Sequence, residues 1–277
     1  MQSPDIQFSL PSGAAATVAH QGAQLLSWKT ADGIERLYVS PKVIRDGNSP
    51  IRSGVPICFP QFNMRVLGDK PLPKHGFARS VPWQVLRHTQ NANEAKLVMG
   101  LNHLSAQRCD WPHAFEAQST ITLRDDGLRI NFALRNTGAQ AFEFAIAIHS
   151  YFSLADRAQT TLLGLENAPY TEFAKGGSTT SADREGLKFT TETDRVYAHA
   201  PKVTQLQDGA RILRIEQSTS LPDTVVWNPG AELCATLADM PVDGYKHMLC
   251  VEAAAIEEPI RLQPNQSWNG WQRFAVQ

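Results

Sequence analysis

The sequence predicts an all-β fold, and three observations carry that expectation. The dominant hydrophobic period is two rather than 3.6. In Leu128-Arg129-Ile130-Asn131-Phe132-Ala133-Leu134-Arg135 apolar residues alternate with polar or small ones, the mark of a half-buried strand. Asp-Gly pairs, which tolerate the positive φ of tight turns, recur at Asp32-Gly33, Asp46-Gly47, Asp126-Gly127, Asp208-Gly209 and Asp243-Gly244. The 17 prolines and 18 glycines disfavour long helices. Pattern alone gives a sandwich or a barrel.

The elements follow in chain order. Asp46 to Ser80 is rich in Pro and Gly and therefore reads mostly as loop, yet it carries Arg52, Arg65, Lys74, His75 and Arg79. Loops on a rigid scaffold let such side chains converge on a ligand, so this segment is a candidate anion and proton-transfer site. Phe115 to Arg124 alternates like the run after it, and Asp125-Asp126-Gly127 between them predicts a β-hairpin. Phe142 to Tyr151 also reads as a strand. One face would carry Phe142, Phe144, Ile146 and Ile148, and the other Glu143, Ala145, Ala147, His149 and Tyr151. The first face is core. On the second, the alanines leave room beside His149 for a ligand, although backbone or water would also satisfy its nitrogens.

Ala174 to Ser181 reads as a surface loop. Met248 to Ile256 is an apolar run interrupted by Glu252. A buried carboxylate is expensive without partners, so Glu252 should find donors, face a wet cleft or have a raised pKa. A place at a strand end facing solvent is the other option. Glu257 and Glu258, just before Pro259, read as an exposed turn. Phe59, Phe62 and Trp227 would either wall a ligand site or pack in the core.

The 277 residues suffice for a large core, and β-sandwiches of this length are often single domains; one domain over residues 1–277 is expected. With 26 basic against 27 acidic residues the net charge is −1, a poor footprint for nucleic-acid binding. Cys58, Cys109, Cys234 and Cys250 form no CxxC pair and read as buried free thiols. No zinc-type ligand cluster is evident. Neither a Walker-type loop nor a GxGxxG motif is present, so no nucleotide is implied. The N-terminus lacks a secretory pattern, and no apolar stretch reaches the ~18 residues of a membrane span. A cytoplasmic monomer that binds neither membrane nor nucleic acid is expected.

IRSGVPICFPQF followed by LPKHGFAR resembles the hexose-6-phosphate mutarotases of the aldose 1-epimerase superfamily. IAIHSYFSL with His149, ETDRVY with Asp194 and MLCVEAAAIEEPIRLQPNQSW with Glu252 follow in the family's order, and VVWNPG at Val225–Gly230 matches in part. Ser53 stands where a glycine is usual, and Gly230 where an aromatic is common. The resemblance implies a large twisted antiparallel β-sandwich of the galactose mutarotase type, with its site on a concave sheet. It implies interconversion of the anomers of a hexose 6-phosphate, foremost glucose 6-phosphate, without metal or cofactor. Glu252 would be the base toward O1, His149 the acid toward O5, and His75 an assisting group. Arg52, Lys74 and Arg79 would hold the phosphate, and Asp194 the sugar hydroxyls. A mutarotase for unphosphorylated aldoses and a non-catalytic sugar-phosphate binder are the competing readings.

Overall fold

The computed structural model describes residues 4–47, 49–64, 72–106, 110–180 and 183–277. Arg65 and Cys109 of the sequence reading lie outside them. Two large sheets dominate. In the nine-stranded sheet the central neighbours are Arg211–Gln217, Ser267–Val276, Gly127–Asn136, Phe115–Arg124 and Glu94–Asn102. In the eight-stranded sheet Tyr170–Glu172, Thr193–Tyr197, Asp223–Asn228, Met248–Leu262 and Phe142–Ile148 run in that order, with Ile57–Cys58 at the edge beyond Phe142–Ile148. A three-stranded sheet is formed by Ile6–Ser9, Ala15–Val18 and Leu25–Lys29. Neighbouring strands pair antiparallel, including the predicted hairpin, where Arg124 stands opposite Gly127. Among the described residues no helix is long and apolar enough to cross a membrane.

The period-two pattern explains how the large sheets meet. Phe132 and Leu134 of one sheet and Phe144, Ile146 and Ile148 of the other share one buried apolar core. Each such side chain contributes roughly 1.5–3 kcal/mol by leaving water. Alternate residues of the eight-stranded sheet face away from that core. Ala145, Ala147, Val196, Val225 and Ala254 form a second buried cluster there. Small residues across neighbouring strands leave room above the sheet, and that face carries the candidate site.

One open alternative is decided and two local expectations change. Phe59 is fully buried in the main core, ringed by Phe77, Trp111, Phe115, Phe132 and Phe144, so it walls no site. Ser178–Thr180, expected as loop, adds a short strand beside Tyr170–Glu172. Glu257 and Glu258 are exposed as expected, but they lie in a register shift within the strand Met248–Leu262, not in a turn. A bulge tolerates Pro259, which has no N–H for the ladder.

Candidate active site

Register brings the sequence-predicted residues together. Val225 pairs with Glu252, and Ala253 pairs with Ile148, so Glu252 lies beside His149 at the end of the Phe142–Ile148 strand. One row along, Asp194 pairs with Trp227, Trp227 with Cys250, and Cys250 with Tyr151. Because side chains alternate, Asp194, Trp227, Tyr151, His149 and Glu252 all face one cavity of about 220 Å³. Arg52, Lys74, His75 and Arg79 line it from the loops. All seven predicted residues thus border one space.

His149 and Glu252 form its buried floor, 6% and 1% exposed. The Nε2 of His149 lies 3.3 Å from Oε1 of Glu252. Burial raises the Glu252 carboxyl well above its ordinary value; Asp194 adds to this and Arg79 opposes it. Burial also depresses the His149 imidazole, with Arg79 and Arg52 pushing the same way. Both shifts disfavour the charged forms, so burial works against an ion pair at this contact. The pair then carries one exchangeable proton. Glu252 Oε2 and His149 Nδ1 have no hydrogen-bond partner on another described residue. Unsatisfied buried polar atoms are costly and uncommon.

His75 is held in another way. Its backbone N–H donates to the Asn63 carbonyl at 2.9 Å, and its Nδ1 accepts from the Asn63 N–H at 3.2 Å. That acceptor role places the ring proton on Nε2. Burial, then Arg79 and His149, hold the imidazole far below its ordinary value. His75 is therefore a neutral N–H donor, 5.7 Å from His149 between ring centroids. It has a φ of +64° and is followed by Gly76 at +71°. A side chain at Gly76 would run into the Phe59 carbonyl, so only glycine lets this turn lie against the core.

The cations stand around this floor. Arg52 donates from Nε to both carboxylate oxygens of Asp239, at 2.9 and 2.8 Å. Arg79 donates from Nη2 to the Lys74 carbonyl at 2.7 Å, closing the loop that carries His75, while its buried Nε has no partner among the described residues. Lys74 is exposed. Asp194 does not pair with its neighbour Arg195, which is engaged by Glu172 and Asp183 at 2.8 and 2.5 Å. Burial, then Glu172 and Glu192, raise Asp194 to about 6.

Sequence reasoning gave no role to Tyr151, Asn63 or Asp239. Tyr151 was placed on the right face of its strand but not recognised as the ring stacked on His149, with centroids 4.7 Å apart and planes within 5°. Of the residues read as walls or core, Phe62 and Trp227 line the cavity. The donor atoms of His149, Cys250 and Glu252 lie within 4.8 Å of one another, a potential metal-ligand trio that sequence spacing had hidden. Cys58, Cys234 and Cys250 are free and buried, as expected. The two departures have local explanations. The Ser53 hydroxyl donates to the Arg52 carbonyl at 2.5 Å. Gly230 has a φ of +63°, and a side chain there would meet the Glu192 backbone.

The model for the family described as aldose 1-epimerase matches residues 4–275. Two relatives, from Cenchrus ciliaris and Escherichia coli K12, are each named "Putative glucose-6-phosphate 1-epimerase". The first is 33% identical over 90% of this chain and 77% of its own. The second is 34% identical over 88% of this chain and 80% of its own. The crystal structure of a "putative mutarotase (YeaD)" from Salmonella typhimurium superposes with a TM-score of 0.89 at 30% identity, covering 98% of this chain and 90% of that one. With the two-sheet fold and this match along nearly its whole length, the chain belongs to the aldose 1-epimerase family.

Proposed function

We propose that the protein interconverts the α and β anomers of a hexose 6-phosphate, foremost glucose 6-phosphate. One arrangement carries this reading: a buried His–Glu pair with a single exchangeable proton, in a cavity that two arginines and a lysine also line. The relatives named for glucose 6-phosphate agree with it. The same reading takes the chain as one domain, acting as a cytoplasmic monomer on a free sugar phosphate, with neither membrane nor nucleic acid as partner.

Ring opening removes the proton from the C1 hydroxyl and delivers one to O5. The reactive form of the pair is the one with its proton on His149 and Glu252 ionised, the form that burial makes less populated at rest. Glu252 takes the O1 proton, the C1–O5 bond breaks with its electrons passing to O5, and His149 protonates O5. The new aldehyde turns about C1–C2. Closure on the other face returns the proton from Glu252 to O1, and His149 recovers its own from O5. Over the cycle the pair's proton count is unchanged. His75 supplies an Nε2–H to a sugar oxygen, and Asp194 accepts from sugar hydroxyls.

The rate should follow a bell in pH, measured as the decay of optical rotation of freshly dissolved α-glucose 6-phosphate. Activity needs one proton on the pair. Acid adds a second, and because His149 is depressed, this limb falls below the ordinary histidine range. Base removes the last, and because Glu252 is raised, that limb falls well above the ordinary carboxylate range. The two limbs belong to the pair jointly. A rate flat across both limbs, or no acceleration of the decay at any pH, contradicts the proposal.

The His149–Cys250–Glu252 trio is read as metal-free. Burial raises both the Cys250 thiol and the Glu252 carboxyl, opposing the deprotonation that ligation needs. Arg52, Arg79 and Lys74 would also repel a divalent ion from the same cavity. Dialysis against a strong chelator should leave the rate unchanged. Loss restored by one specific divalent ion would show that the trio is a metal site.

A further inference from the structure

Arg52 is held more firmly than a side chain that only lines a cavity. Gln24 donates to the carbonyls on either side of it, Ile51 at 2.9 Å and Ser53 at 2.5 Å. Its guanidinium lies 5.9 Å from the centroid of Trp227. Asp239, 187 positions along the chain, takes the Nε edge with both carboxylate oxygens. Asp239 is anchored to the same frame. The Ser40 hydroxyl donates to its carbonyl at 2.5 Å, and the Ser40 N–H donates to the Ser53 hydroxyl at 3.0 Å. Among the described residues, Nη1 and Nη2 of Arg52 have no hydrogen-bond partner. A smaller space of about 160 Å³ is bordered by Arg52, Arg79, Tyr151 and Asp239.

We propose that Asp239 is a positioning residue that sets Arg52 as a fork for the substrate phosphate. This rests on the hexose 6-phosphate reading above. Asp239 holds the Nε edge, which leaves the Nη1 and Nη2 edge for the ligand. Carboxylate and phosphate therefore use different edges of one guanidinium and do not compete for the same donors. Arg is suited to this role because its donors form a rigid planar array. Charge agrees as well. Around the smaller space Arg52 and Arg79 against Asp239 leave a positive surplus, which favours the dianion of a phosphate monoester. The Ser53 hydroxyl, which accepts from the Ser40 N–H, is part of the same brace.

The test is steady-state kinetics on glucose 6-phosphate and on glucose, with inorganic phosphate as competitive inhibitor. Asp239→Ala should raise KM for glucose 6-phosphate and Ki for phosphate together, by about three- to tenfold, the scale of re-immobilising one long side chain. Its kcat should stay within about twofold of wild type, on the same basis that only binding order is lost. The proportional loss on glucose should be smaller. Asp239→Asn, whose amide oxygen still accepts from Nε, should recover part of the loss. Tighter phosphate inhibition in Asp239→Ala would make Asp239 a competitor of the phosphate and overturn the proposal. Unchanged KM and Ki, or equal losses on both sugars, would overturn it too. Arg52→Ala, measured in parallel, separates the levels: if it shows no phosphate-specific loss, the underlying reading of the cavity falls as well.

Discussion

Glu252→Gln is expected to lower kcat on glucose 6-phosphate by at least about a hundredfold, since a positioned acid or base typically contributes 10²–10⁴-fold. The substitution keeps the shape and removes the base. It also removes an acid whose charged form the buried site disfavours, so thermal stability should be unchanged or higher. His149→Ala should lose a similar factor for the acid half of each transfer. It also strips Glu252 of its 3.3 Å partner and the Tyr151 ring of its stacked neighbour, so its fold needs checking by circular dichroism. A folded variant of either kind with near wild-type mutarotation would remove that residue from the mechanism.

Arg52→Ala and Arg79→Ala should each lower kcat/KM for glucose 6-phosphate by about 10–100-fold. Hydrogen bonds to charged groups are worth roughly 1.5–3 kcal/mol, and each 1.4 kcal/mol is a factor of ten. Free glucose never makes the contact and should lose less. The two variants differ in their side effects. Removing Arg52 leaves Asp239 without its partner, whereas removing Arg79 releases the carbonyl of Lys74 at the mouth of the His75 turn. Equal proportional losses on both sugars would identify structural arginines and end the phosphate assignment.

The fold and the chemical pair were legible in the sequence because both obey the strand period. Alternation in Phe142 to Tyr151 set Phe144, Ile146 and Ile148 against the core and left His149 with the alanines, as observed. Glu252 stood out as a carboxylate in an apolar run, and its neighbours Leu249, Val251 and Ala253 do face the core. Contacts set by tertiary approach were not legible. Nothing near Arg52 announces Asp239, because the two meet only when distant loops converge. The metal-like trio was hidden for the same reason: Cys250 and Glu252 are near in sequence, but His149 arrives from the adjacent strand. For Phe59 the sequence left wall and core equally open, and only the approach of the two sheets decides it: the ring plugs the core between them. The neutral tautomer of His75 depends on one backbone N–H from Asn63, a detail that residue type cannot convey.

The most direct measurement is exchange NMR at anomeric equilibrium, with and without the protein, on glucose 6-phosphate and glucose at equal concentration. It sees α and β forms interconvert without a coupled reaction. The account predicts protein-dependent cross-peaks between the two anomers of glucose 6-phosphate, much weaker ones for glucose, and their collapse with Glu252→Gln. Exchange rates equal to those in buffer would contradict it, as would faster exchange for glucose than for its 6-phosphate.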